Sequence, residues 1–383
     1  MKDAVLEADD VTYAYGRKSS QVLDGLSIKI SPNKKTGLLG QNGAGKSTLF
    51  NVLNALYKPA SGTVLYNGQP VSYRHKSIIR MRSEVSILFQ NPNDMIFKPY
   101  VGQDVAYGPE NLKLPKEEVD ARVDEALFAV GMESFRESPI MKLSYGQRKR
   151  VSLAGVLAMR PKVLILDEPT AGLDPQMASE VMEITEQLHS SGVTVVMSSH
   201  DSDLIYSWAD EIHVLSSSKC VYSGDPVSFY SDYGAVQDAG LLLPTVFKID
   251  KTLSGPGSIS EKPCPRTRAQ LTAKLVGGPD REFGTLHVIC VNRDDSPADL
   301  LERASVAGVK TGIYGMSARM ACNRTGFHAS FTYDAPDNCL ANCLEGNDSV
   351  ILCDPLIADK AASMAEFVKN NGLGKLDVQV HNR

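Results

Sequence analysis

The pattern of apolar and polar positions changes character along the chain. Near the start it gives short, partly alternating runs, which predict strands at 4–8, at Val11–Tyr15 and, after an Asp24-Gly25 turn, at Leu26–Ile30. Together they read as an antiparallel entry sheet. Thr36-Gly37-Leu38-Leu39 reads as the next strand and Ser47–Leu53 as a helix. Pro59–Gly62 turns the chain into a strand at Thr63–Tyr66, with Asn67-Gly68 as a hairpin turn. Later strands are continuously apolar, at Glu84–Phe89, Lys162–Leu166 and Val193–Met197, as in a parallel sheet covered on both faces. Between them Val119, Val123, Ala126, Leu127 and Val130 recur at helical spacing, predicting a helical subdomain at about 91–150, and Arg150–Ala158 reads as a further helix.

After Gly224-Asp225-Pro226 this pattern stops. Residues 232–283 are rich in Gly, Pro, Ser and Lys (Ser254–Ser258, Glu261-Lys262-Pro263, Gly277-Gly278-Pro279) and read as a linker with short ordered pieces. Strands at Leu286–Val291, Gly308–Tyr314 and Ser349–Cys353, with helices at Pro297–Val306, Asp334–Leu344 and Ala358–Asn370, predict a compact α/β domain over 284–383.

Composition narrows the class without naming a function. A chain of 383 residues, 22% charged, 43% hydrophobic and with a formal charge of −5, is an ordinary soluble protein of more than one domain without the basic excess of a nucleic-acid binder. No apolar run reaches the length of a membrane helix and the N-terminus lacks a signal peptide, so the expected place is the cytosol, with any membrane role exercised through a partner. The seven cysteines all lie at or beyond Cys220, and their odd number fits reduced thiols. Cys339 and Cys343, with Cys322, Cys353, His287 and His328, could form a soft-metal site. The competing reading makes Cys290 and Cys353 small core residues and puts Cys339 and Cys343 on one buried helix face.

Candidate chemistry centres on Gly40-Gln41-Asn42-Gly43-Ala44-Gly45-Lys46-Ser47-Thr48, a phosphate loop of the form G-x-x-x-x-G-K-[ST]. Its glycines let backbone N–H groups converge on phosphate oxygens, Lys46 can reach the β- and γ-phosphates, and the Ser47 hydroxyl suits Mg²⁺. Tyr15 is an aromatic that could stack on an adenine ring, or simply a half-buried strand tyrosine. Gln90 stands at the C-terminal edge of a strand, where ligands bind in open α/β sheets. Leu143-Ser144-Tyr145-Gly146-Gln147 opens a helix as a capping box, and Asp167-Glu168 places adjacent carboxylates beyond a buried strand.

Over about residues 1–226 these motifs, followed by Ala171-Gly172-Leu173-Asp174 and Ser198-Ser199-His200-Asp201, resemble in content and order those of the ATP-binding-cassette ATPases. The resemblance implies an α/β phosphate-loop NTPase cassette at 1–231, made of a RecA-like core, an antiparallel β subdomain and the helical subdomain. Phe89–Phe97 and Asp104–Asn111 look most like the ATPases of energy-coupling-factor importers, closest to the cobalt and nickel branch, except that Met95 stands where those carry glutamine. It further implies ATP and Mg²⁺ as ligands, with Ser47, Gln90 and Asp167 at the metal, Glu168 polarising the attacking water and His200 on the γ-phosphate. Ser144 and Gly146 would complete the site of a second ATPase subunit, identical or a paralogue, with Asp174 across the interface. The expected partners include a transmembrane coupling subunit and a substrate-capture subunit, at the cytoplasmic face of the membrane. Vitamin uptake through such an importer, or a soluble cassette ATPase in cofactor assembly, are the alternative readings.

Overall fold

The computed structural model describes residues 4–16, 19–254 and 264–381. Part of the expected linker, Gly255–Ser258 and Glu261-Lys262-Pro263, lies outside them. The chain divides into two compact units, one of Met1–Gly172 with Gly192–Pro244 and one of Leu173–Ser191 with Thr245–Arg383.

In the first unit, β1 (Leu6–Tyr13) and β2 (Leu23–Ile30) precede β3 (Lys35–Gly40) and α1 (Lys46–Leu53). The hairpin β4 (Ser61–Tyr66) and β5 (Gln69–Pro70) turns at Asn67 and Gly68, both with positive φ, as the dipeptide predicts. Then come α2 (His75–Glu84), β6 (Val85–Leu88), α3 (Val101–Asn111), α4 (Lys116–Ala129), α5 (Tyr145–Leu157) and β7 (Val163–Asp167). After α6 (Pro175–Ser190), which belongs to the second unit, the first resumes with β8 (Thr194–Ser198), α7 (Ser202–Trp208), β9 (Glu211–Ser216), β10 (Lys219–Gly224), α8 (Pro226–Ser231) and α9 (Tyr233–Asp238).

Two sheets result. The antiparallel one runs β2-β1-β4-β5, and the second runs β10-β9-β3-β8-β7-β6 with only β10 antiparallel. Every residue of β3, β7 and β8 is buried, which is why these strands read as unbroken apolar runs. The carboxyl ends of β3, β7 and β8 therefore share one edge of the sheet.

Several expectations are corrected here. The two strands expected at 4–8 and Val11–Tyr15 are one strand, β1, in which Asp9 and Asp10 sit at irregularities of pairing and Asp10 has φ 50°. Asp24-Gly25 lies inside β2 instead of forming a turn, because Gly25 takes a positive φ against β1. The helix α2 carried a polar pattern with Met81 as its single buried residue, so periodicity did not reveal it.

The stretch expected as linker is largely helical. The first unit runs on through α9, where Val236 and Ala239 are buried, to Pro244. The second unit holds α10 (Thr245–Ser254) and α11 (Arg268–Val276), whose Asp250 and Lys274 form a buried ion pair. Its sheet is wholly parallel, in the order β12-β13-β11-β14, from β11 (Leu286–Cys290), β12 (Lys310–Tyr314), β13 (Ser349–Cys353) and β14 (Val378–His381). α12 (Pro297–Arg303) and α13 (Met316–Thr325) belong to one apolar cluster, and α14 (Ala335–Leu344), α15 (Ala358–Ser363) and α16 (Glu366–Asn370) to another that also takes in α11. Where an α/β domain was expected at 284–383, β11–β14 and their helices belong to a unit that also takes in α6, α10 and α11; α13 and β14 were not anticipated and the helix expected at Ala358–Asn370 is broken in two.

The cysteines follow the packing reading. Cys322, Cys339, Cys343 and Cys353 are buried, Cys339, Cys343 and Cys353 within one apolar cluster, and burial pushes the Cys322, Cys343 and Cys339 thiols up. Among the described residues no group of three His, Cys, Asp or Glu side chains is placed to hold a metal. Leu352, fully buried in the central strand β13, tests whether this core stands on ordinary packing. Leu352→Ala is expected to lower stability by about 2–5 kcal/mol in urea-induced unfolding; a loss under about 0.5 kcal/mol would contradict the packing.

Candidate functional site

The phosphate loop follows β3 directly, and its backbone explains its glycines. Gly40, Gly43 and Gly45 have φ of 150°, 82° and 100°, and a Cβ on Gly45 would stand 2.9 Å from the Val22 carbonyl oxygen. Lys46 begins α1, so the loop delivers its amides and the positive end of that helix to one place. The Lys46 ammonium donates to the carbonyls of Gly40 (2.6 Å) and Gln41 (3.2 Å). Burial pushes its pKa down against the attraction of Glu168 and Asp167. Ser47 is exposed on the first turn, and Gln41 donates to the Gly240 carbonyl at 3.3 Å. Tyr15 is 61% exposed, stands edge-on to Tyr13 and Tyr57, and hydrogen-bonds the Thr48 hydroxyl at 2.8 Å. An exposed ring beside the loop keeps the stacking role open to it.

At the ends of β7 and β8 the two carboxylates are built in. Asp167, buried, accepts a 2.6 Å hydrogen bond from the Ser198 hydroxyl, which fixes the orientation of its carboxylate. The same hydroxyl oxygen accepts from the Glu168 N–H at 3.1 Å. Glu168 is 7% exposed and has φ 47°, a left-handed conformation that costs about 1–3 kcal/mol and persists only where surroundings impose it. Its Oε2 stands 2.9 Å from the Nδ1 of His200, whose ring is largely exposed. The structure thus brings Lys46, Asp167, Glu168 and His200 to one edge of one sheet.

The helical subdomain reaches the same edge through Gln90. Lys149 is buried, and its ammonium donates to the Gln90 carbonyl at 2.6 Å and the Phe89 carbonyl at 3.2 Å. Sequence reasoning missed it. The signal was available, since Lys149 falls on the helical face of Gly146, Leu153 and Val156, all buried in α5. Met95 returns to the same segment, its sulfur accepting from the Phe89 N–H at 3.2 Å.

The Ser144 capping box is present. Ser144 Oγ accepts from the Gln147 N–H at 3.2 Å and Gln147 Oε1 from the Ser144 N–H at 2.9 Å. Leu143 and Gly146 are buried, whereas Ser144 and Tyr145 are exposed, the latter against Gly172. Ser144 and Gln147 thus hydrogen-bond each other, while the Tyr145 hydroxyl donates to the Gln90 carbonyl at 3.5 Å. Asp174, in the second unit, caps α6 by accepting from the Met177 N–H at 2.9 Å.

Residues 23–171 match the family model described as ABC transporter. Over 255 residues the chain is 45% identical to the energy-coupling factor transporter ATP-binding protein EcfA of Methanocaldococcus jannaschii, covering 67% of this chain and 91% of that protein. The chain belongs to the ABC-transporter ATPases, among the energy-coupling-factor ATP-binding proteins. This energy-coupling-factor ATPase is also 34% identical over 364 residues to EcfA2 of Methanospirillum hungatei JF-1, covering 91% of this chain and 89% of that protein, so the likeness extends into the second unit. Among solved structures it resembles cbiO1 from Clostridium perfringens, described as part of the ABC transporter complex cbiONQ, with 38% identity, a TM-score of 0.56, and 65% of this chain and 99% of that chain covered. It binds and hydrolyses ATP. No helix of the described residues is long and apolar enough to cross a membrane.

Burial pushes the Lys149 ammonium from its ordinary 10.5 down to about 8, although Asp167 and Glu168 draw it up. A lysine depressed by folding gives up its proton between about 8 and 10.5 while the unfolded chain keeps it, so this group's contribution to stability rises with pH across that window. Its charged clamp on Gln90 is lost over the same rise. Turnover is therefore expected to fall as pH passes about 8, and Lys149→Arg, which stays charged, to remove that limb of the pH–rate profile. The same alkaline limb in both proteins would contradict the clamp.

Proposed function

We propose that this ATPase is the motor of an energy-coupling-factor importer that takes up a transition-metal ion, cobalt or nickel, and works as a pair of cassettes at the cytoplasmic face of a membrane. The observation that carries the mechanism is the buried Glu168, strained in backbone and 2.9 Å from His200, at the end of a strand whose last residue is Asp167. On this reading the loop amides and Lys46 hold the phosphates, Tyr15 stacks on the base, and Glu168 takes a proton from the water as its oxygen bonds to the γ-phosphorus and the bond to ADP breaks. His200 orients the γ-phosphate and Glu168 together.

The oxygen donors Ser47, Gln90 and Asp167 suit a hard cation, and the Ser198 hydrogen bond orients the carboxylate for one. Mg²⁺ held there would neutralise charge on the phosphates. In the pair, the exposed Ser144 at the N-terminus of α5, with Gly146, meets the nucleotide of the other cassette, and Asp174 faces the opposite subunit. Closing on ATP and reopening after hydrolysis is the mechanical output.

Among residues of α2, β6, α3 and α5 a groove of about 550 Å³ is lined by Ile79, Ile87, Met95, Phe97, Tyr107 and Met159, among others. Apolar and open, it suits a helix of the transmembrane coupling subunit, while a separate capture subunit binds the cargo. The resemblance of Phe89–Phe97 and Asp104–Asn111 supports the metal-ion cargo, and the similarity to EcfA proteins and to cbiO1 supports the assembly.

Glu168→Gln is expected to leave ATP binding intact and slow hydrolysis at least about 100-fold in the purified transporter. Unchanged hydrolysis would reject the role of Glu168. Ser144→Arg should keep nucleotide binding by a single subunit and abolish ATP-dependent pairing; normal pairing, measured by sedimentation, would refute the trans contact.

A further inference from the structure

The second unit grips α6 through buried charge. Arg319 on α13 donates through Nη2 to Glu183 Oε1 (2.6 Å) and through Nε to Glu183 Oε2 (3.2 Å), a two-pronged pair with side chains 8% and 6% exposed. Glu180, one turn earlier on the same face of α6, lies 3.7 Å from Arg319 Nη1, which also donates to the Thr332 carbonyl at 2.7 Å. Glu183 Oε2 further accepts from the Gly315 N–H at 2.9 Å. Gly315 is the N-cap of α13 and brings no side chain to cap it, so the carboxylate on α6 supplies the cap. Ser179, one turn before Glu183, accepts from the Asp334 N–H at 3.1 Å. Gly315 has φ 100°, and a Cβ there would stand 2.7 Å from Asp354 Cβ and 2.9 Å from Gln187 Nε2, so the approach of α6 depends on glycine at that position.

Gly315 and Asp354 follow the carboxyl ends of β12 and β13, the edge where an open parallel sheet binds its ligands. Here the edge, a helix N-terminus and an arginine recognise a carboxylate of the chain's own α6. Apolar packing would hold a helix without the cost of burying charge, whereas a bidentate ion pair with a shared N–H holds it in one rotation and one register. Asp174 is the N-cap of that helix, about two and a half turns from Glu183, and a continuous helix passes a fixed rotation to its end.

We propose that the Arg319–Glu183 lock positions Asp174 for ATP turnover, so that the C-terminal residues act on the reaction by setting α6. Arg319 and Glu183 are on this account positioning residues. The inference rests on the reading of Asp174 as the residue presented to a second cassette.

The test uses the purified full-length chain. Glu183→Leu combined with Arg319→Met exchanges the ion pair for apolar contact of similar bulk, which keeps α6 packed without the directed bonds. The expected result is ATP affinity and KM within about twofold of the unaltered chain, kcat at least about tenfold lower, and a Hill coefficient for ATP falling towards one. Unchanged kcat and Hill coefficient would overturn the inference, whatever happens to thermal stability. Should the double variant fail to fold, Glu183→Gln, which keeps an amide oxygen for the Gly315 N–H, is read in the same way. Asp174→Ala separates the two layers. Lost turnover in Asp174→Ala with full turnover in the lock variant rejects the lock alone, and full turnover in Asp174→Ala removes the trans reading and the lock with it.

Discussion

One hydroxyl that ties a buried carboxylate to the backbone of the next residue is the constraint on which the proposed site depends. Ser198 donates to Asp167 and accepts from the Glu168 N–H, so one side chain on β8 fixes a carboxylate and the backbone turn that follows it on β7. The Glu168 N–H also stands 3.3 Å from the Ser198 carbonyl, so side chain and backbone of β8 together meet the left-handed turn at Glu168. The pairing of β7 with β8, which sets Asp167 opposite Ser198, therefore shapes the proposed site as much as the fold.

The positive charges around this edge differ in purpose. Lys46 faces the phosphate loop's own carbonyls, and Lys149 faces the carbonyls of Phe89 and Gln90. Both are buried and both are pushed down in pKa, yet the nearby carboxylates draw each back towards its charged form. On the proposed reading one lysine serves the nucleotide. The other ties the strand end at Gln90 to α5, the helix that begins at Ser144.

How much of this could be read in the residues depended on how local each feature is. The phosphate loop, the capping box at Ser144 and the fully buried β7 announce themselves within a few positions, because glycine conformations, N-cap oxygens and unbroken apolar runs are each set by near neighbours. Lys149 was hidden by its charge, although its helical face was legible. The continuity of β1 across Asp9 and Asp10 is a product of pairing with β2 and β4 and has no local signature. The same holds for α6. Its buried Glu180 and Glu183 look like surface residues in the sequence, and Arg319 and the Gly315 N–H, far along the chain, are among the groups that compensate their burial. The composition of 232–283 suggested a linker, whereas apolar residues such as Phe247, Leu271 and Ala273 draw its helices into the second unit.

The central claim is that ATP is split only between two cassettes. Turnover per chain, followed against chain concentration alongside sedimentation under the same conditions, tests it most directly. The account predicts that turnover per chain falls towards zero as the chains separate. A full rate per chain at concentrations where sedimentation finds only monomers would contradict it.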